Sequence, residues 1–129
     1  MIDIRRGWLV AGALWLLAGV AALLVPESYL PATVGKDVDE AAHAVLFAVG
    51  VVLWGFAVPR WTWAVGGLAL VAAVASEWAQ GALIQSRGAQ WSDVQADIAG
   101  IAVALVIVVR ANAAWRYENR RRVASTGRR

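Results

Sequence analysis

AAHAVLFAVGVVLWGFAVPRWTWAVGGLALVAAVASEWAQGALI, residues 41–84, carries two formal charges, Arg60 and Glu77, and a single histidine, His43. The run breaks once, at Pro59-Arg60. A helix of about 20 apolar residues crosses a ~30 Å hydrocarbon core, and inside lipid only helices and closed barrels satisfy their own backbone. The stretch therefore predicts two membrane spans, about 41–58 and 61–84, joined by a very short connection.

Upstream, residues 7–25 read GWLVAGALWLLAGVAALLV, with no charge at all. Arg5 and Arg6 suit the start of a signal peptide, but the run exceeds the usual 7–15 apolar residues, so it is expected to be a retained span. Pro26 and Pro31 act as breakers, so residues 26–40 are expected to be a loop, with Asp37 or Asp39 capping the second span. Downstream, residues 85–90 form a loop carrying Arg87. SDVQ, residues 92–95, then reads as a capping box opening a fourth span that ends near Arg110. The chain after it is polar and Arg-rich, helical at first and then disordered.

Composition agrees. The 129 residues suit one domain. They are 60% hydrophobic and 16% charged, against about 45–50% and about 25% in soluble domains. Mean hydropathy is +0.60. The expected fold is an all-α integral membrane protein, a four-transmembrane-helix bundle over residues 1–112 with a basic tail over 113–129. The absence of cysteine excludes disulfides, thiolate metal sites and a cysteine nucleophile. No cofactor is expected.

Four spans bring both termini to one side. Arg5, Arg6, Arg60 and the arginines from Arg110 onward make ten of the twelve basic residues; Lys36 and Arg87 are the other two. By the positive-inside rule both termini are cytoplasmic. The tail is a contact for anionic lipid. Nucleic acid is not an expected partner, because the body offers no basic face and no recognition motif. Trp8, Trp54, Trp61, Trp63 and Trp115 fall near the inner interface and Trp91 near the outer one, while Trp15 and Trp78 lie deeper and pack or face lipid.

This topology collects the polar residues. His43 lies about one turn into the second span, Glu77 and Gln80 in the outer third of the third, Arg87 in the outer loop, and Asp93 and Asp97 at the mouth of the fourth. Glu77 and Gln80 are spaced i, i+3, on one face. Asp93, Asp97 and Gly100 follow i, i+4, i+7, with the glycine permitting close approach of another helix. His43 shares a face with Phe47 and Gly50. Ionisable residues inside a membrane are costly and are functional candidates by default.

The same residues carry a family pattern. Asp39-Glu40-Ala41-Ala42-His43-Ala44-Val45-Leu46-Phe47, then Glu77-Trp78-Ala79-Gln80, then Arg87, Asp93 and Asp97-Ile98-Ala99-Gly100 resemble, in order, the motifs of the VanZ-like family of small bacterial membrane proteins. Glu40 stands where that family usually has Lys, and Asp97 where it usually has Asn. Lys36, about one turn upstream, is a candidate substitute for the missing lysine. The resemblance implies a multi-pass protein of the bacterial inner membrane, within the cell envelope. The founding member of the family is linked to resistance to a glycopeptide antibiotic.

Several roles fit such a layer. The groups could form a structural polar network, with Arg87 and Asp93 as an interfacial ion pair. They could bind a lipid or envelope-glycan headgroup, with Arg87 on a phosphate or carboxylate and His43, Glu77 and Gln80 orienting the rest. A membrane hydrolase or transferase would use His43 as acid or base, with Glu77 or Asp97 beside it and Arg87 stabilising negative charge. Ser76, Ser86 and Ser92 are the nearby hydroxyls for it, and none sits in a nucleophile motif. A metal reading would use His43 with Glu77, Asp93 and Asp97, and suits Mg²⁺, Mn²⁺ or Ca²⁺ better than structural zinc. It ranks below the others, and no metal is expected. Finally, the chain could be an accessory subunit of a larger membrane complex, or a homo-oligomer, packing through Gly12/Gly19 and Gly66/Gly67. The expected binding set is His43, Glu77, Gln80, Arg87, Asp93 and Asp97, in a binding or structural role toward a headgroup.

Overall fold

A computed structural model of the chain describes residues 4–23, 36–83 and 91–126, all of them helical or in a tight connection. Helix α1 spans Ile4–Leu23, α2 Lys36–Ala57, α3 Thr62–Leu83 and α4 Trp91–Thr126. Four segments are long and apolar enough to cross a membrane: Ile4–Ala22, Val38–Ala57, Pro59–Ala82, which includes the turn before α3, and Trp91–Ser125. This is the make-up of a multi-pass membrane protein. The outward faces fit it, because Leu14, Leu17, Leu68, Val71 and Ile107 are all exposed, an arrangement suited to hydrocarbon and costly in water.

Between α2 and α3 the chain turns through a single 3-10 turn, Pro59–Trp61. Proline at its first position loses no hydrogen bond that the turn needs. Val58, restricted by the proline that follows, leaves the helical region with φ −127° and ψ 66°. Its N–H still donates to the Trp54 carbonyl at 2.9 Å, and its own carbonyl accepts from the Trp61 N–H at 2.8 Å. The predicted very short connection is therefore held by hydrogen bonds to both backbone groups of Val58.

Helix α2 is central, touching α1, α3 and α4, and its longest contact is with α4. The register follows from paired contacts. Gly12 faces Trp54 and Gly19 faces Leu46, so α1 and α2 are antiparallel. Gly66 meets Leu105, whereas Ala73 packs with Ile101 and Ala104, so α3 and α4 are antiparallel. Gly100 meets Ala44 and Gly55 meets Val108, so α2 and α4 run side by side in the same direction. The starts of α2 and α4 and the end of α3 thus form one end of the bundle, the polar end. The core is small: Val51, Ala73, Ile101 and Ala104, with Phe47 and Leu105 packed on them.

Several boundaries differ from the expectation. Asp37, Asp39 and Glu40 do not lie in a loop; α2 already begins at Lys36, so neither aspartate caps it. A span expected from apolar residues alone misses a polar first turn, which costs little where backbone and side chains reach water. Likewise α4 opens at Trp91, one residue before Ser92, which places that serine inside the helix. At its far end α4 does not stop at Arg110 but continues to Thr126, 36 residues in all. That is about 54 Å, well beyond a ~30 Å core. No glycine or proline interrupts residues 101–126, and Ala, Arg and Glu favour the helix. The breakers Pro26 and Pro31, and the loop of residues 85–90, lie outside the described residues.

Candidate functional site

Helical rise sets the depth of each polar group. At 1.5 Å per residue, His43 is about 10 Å inside the start of α2, Asp97 about 9 Å inside the start of α4, and Glu77 about 9 Å from the end of α3. Asp39, Asp93 and Gln80 lie nearer the helix ends, at about 3–5 Å by the same measure. The polar groups therefore form a two-tier layer at the polar end of an otherwise apolar bundle.

The layer is interior. His43, Glu77, Gln80, Asp93 and Asp97 are all buried, while Trp78, between Glu77 and Gln80 in sequence, is 75% exposed. The i, i+3 spacing on α3 and the i, i+4 spacing on α4 do turn each pair inward. Gly100 completes the α4 face: a Cβ there would overlap the Ala44 carbonyl oxygen and lie 2.9 Å from its carbon. The two backbones are in contact at this point, as expected of a glycine on the polar face. Phe47 continues the His43 side of α2 into the core, but Gly50 instead faces Trp15 of α1, where an added Cβ would lie 3.7 Å from the ring.

Contacts bind two of these helices directly. His43 Nδ1 lies 3.5 Å from Asp97 Oδ1 across the α2–α4 interface. That is an ion-pair distance when the imidazole is protonated, and longer than a well-formed N–H···O bond. Both carboxylate oxygens of Asp97 are buried and accept no hydrogen bond among the described residues. One ligand atom each of Asp39, His43 and Asp93 lie within 4.8 Å of one another. Asp39, Glu40, Glu77, Gln80 and Asp93 are each engaged in a further interaction. The sequence-derived set is thus partly assembled: His43, Asp93 and Asp97 meet, Glu77 and Gln80 stand at matching depth on α3, and Arg87 lies outside the described residues. So do Ser86 and the side chain of Lys36.

Asp39, expected in the loop and outside the binding set, lies instead in the first turn of α2. Its signal was present, since Asp39 and His43 share the i, i+4 spacing of Asp93 and Asp97 once α2 is allowed to begin early. A second polar feature was missed entirely. At the opposite, basic end, Asn112 Nδ2 donates to the Gly55 carbonyl at 3.3 Å and reaches Thr62 Oγ1 at 3.5 Å. Thr62 Oγ1 itself donates to the Pro59 carbonyl at 2.9 Å. An open cleft of about 480 Å³ adjoins this clamp, lined by Arg5, Arg60, Trp61, Asn112, Trp115 and Arg116. Of the two deeper tryptophans, Trp15 packs, donating from Nε1 to the Leu46 carbonyl at 2.9 Å, and Trp78 faces outward.

Compared with models of known protein families, with curated proteins and with solved structures, the chain matches none.

Proposed function

We propose that this chain is a VanZ-like protein of the bacterial inner membrane, with both termini cytoplasmic, whose outer-leaflet polar layer binds the headgroup of a lipid or lipid-linked envelope glycan. The observation that carries the reading is the burial of His43, Glu77, Gln80, Asp93 and Asp97 together at one end of an apolar bundle. An aspartate costs roughly 2.5–3.5 kcal/mol at mid-membrane on insertion scales. A layer holding that many ionisable groups is retained for a role beyond packing. Motif order from Asp39 to Gly100 supports the family. The split of basic residues, with Arg5, Arg60 and Arg116 at the other end of the bundle, supports the orientation. The tail and the basic cleft then face the anionic cytoplasmic leaflet.

The test is retention. The full chain is extracted from bacterial membranes in polymer-bounded lipid discs, and the co-purifying lipids are identified by mass spectrometry. One lipid class should be enriched several-fold over bulk membrane, and Glu77→Gln and Gln80→Leu should abolish the enrichment while helix content holds. A retained lipid profile equal to the bulk membrane would sink the reading. Fixed-stoichiometry co-purification of a larger protein would favour an accessory subunit instead. The glycines offered for that role are largely used internally: Gly12, Gly19 and Gly66 meet α2 or α4, whereas Gly67 has nothing within 4 Å.

A further inference from the structure

We propose that Asp39, His43 and Asp93 bind one divalent transition-metal ion, of the Mn²⁺ or Zn²⁺ kind, in the polar end of the α2–α4 interface. The inference goes beyond the headgroup reading and does not depend on it. Its geometric basis is the convergence of one ligand atom from each residue within 4.8 Å. Two ligands held about 2.1–2.2 Å from a shared ion lie at most about 4.4 Å apart. A shift of a few tenths of an ångström closes the set. Two of the ligands sit one turn apart on α2 and the third in the first turn of α4, so rigid elements hold them.

The donor set selects the ion. Ca²⁺ and Mg²⁺ take oxygen ligands, and an imidazole nitrogen beside carboxylates favours Mn²⁺ or Zn²⁺. A single histidine and no cysteine argue against a closed structural zinc site.

Asp97 supplies the independent observation. Its side chain is 1% exposed, and neither carboxylate oxygen accepts a hydrogen bond among the described residues. A purely structural network would satisfy such a group, since buried polar atoms are nearly always hydrogen-bonded. Instead Asp97 Oδ1 faces His43 Nδ1 at 3.5 Å. In the proposed site Asp97 holds the ring through Nδ1–H, and Nε2 turns to the ion. That is the carboxylate–histidine–metal arrangement, in which the outer carboxylate fixes the ring's tautomer and orientation. Asp97 is therefore a positioning residue, not a ligand. Asp39, only partly buried, gives the ion access from the end of the bundle.

The experiment uses the full chain in lipid discs, stripped with a chelator and titrated with Mn²⁺ by electron paramagnetic resonance and with Zn²⁺ by calorimetry. One ion per chain is expected, with Ca²⁺ and Mg²⁺ failing to compete at equal concentration. Asp39→Asn and Asp93→Asn should each weaken binding about tenfold or more, and Asp97→Asn by roughly 10–100-fold. Glu118→Gln, exposed on α4, should leave binding unchanged. Pulsed resonance on the Mn²⁺ form should show coupling to one imidazole nitrogen, and this readout on the unmodified chain holds even if His43 variants fail to fold. The proposal is overturned by absent stoichiometric binding, by full affinity in Asp39→Asn with native helix content, or by bound Mn²⁺ without nitrogen coupling. Neutralisation of the carboxylates by protons or by Arg87 would appear as the first of these.

Discussion

Gly100 sets how closely α2 and α4 approach, because any Cβ there runs into the Ala44 backbone. Backbone, unlike the end of a flexible side chain, cannot step aside. Gly100→Ala should destabilise the fold by about 1–3 kcal/mol, the usual cost of overpacking. Gly67→Ala is the matched control: its Cβ meets nothing within 4 Å, so helix propensity alone should make it neutral or stabilising by up to about 1 kcal/mol. Reversible unfolding in mixed micelles reads both, and equal effects would contradict the close approach. The His43–Asp97 pair belongs to the same scale. Removing one partner of a buried pair strands the other, typically costing 3–5 kcal/mol, whereas removing both can be close to neutral. The double variant His43→Leu with Asp97→Leu should thus be more stable than Asp97-bearing His43→Leu. Additive losses would mean the two side chains do not interact.

At the scale of elements, Asn112 is a clamp. From α4 it reaches the Gly55 carbonyl in α2 and the hydroxyl of Thr62 at the start of α3. It therefore ties down both flanks of the Pro59–Trp61 turn. Asn112→Leu should cost about 1–2 kcal/mol, and amide hydrogen exchange should speed up at residues 58–62 while the middle of α2 stays protected. Unchanged exchange in the turn would remove the clamp. A fourth span that ends near Arg110, as the apolar run predicts, stops two residues short of this side chain. A lone asparagine among Ala, Trp and Arg gives no periodic signal, and its partners lie 50 and 57 positions away.

For the whole molecule the decisive property is which end faces the cytoplasm. The chain has no cysteine, so single introduced cysteines report without background. Val38→Cys, exposed near the start of α2, should react with an impermeant thiol reagent added to intact cells. Ser125→Cys, exposed near the end of α4, should react only after the membrane is opened. The reverse pattern would invert the proposed topology and move the polar layer to the cytoplasmic leaflet. Around the basic cleft, neutralising Arg5, Arg60 and Arg116 together should weaken retention of anionic lipid. Each charge near the surface is worth about 1 kcal/mol there.

Element number, helical state and the tight α2–α3 connection were legible from residues alone. Apolar runs of spanning length have few stable states in hydrocarbon, and Pro59 leaves little choice about where the chain turns. The inward facing of Glu77 with Gln80, and of Asp93 with Asp97, was legible too, because helical periodicity is local. What periodicity could not supply was relative placement. That α2 and α4 run side by side in one direction follows from Gly100 meeting Ala44 and Gly55 meeting Val108, contacts more than fifty residues apart in the chain. Only that register sets Asp97 beside His43 and brings Asp39 to Asp93. Local physics chose the helices and their polar faces; tertiary packing, through one glycine that lets two backbones touch, decided which polar groups lie together.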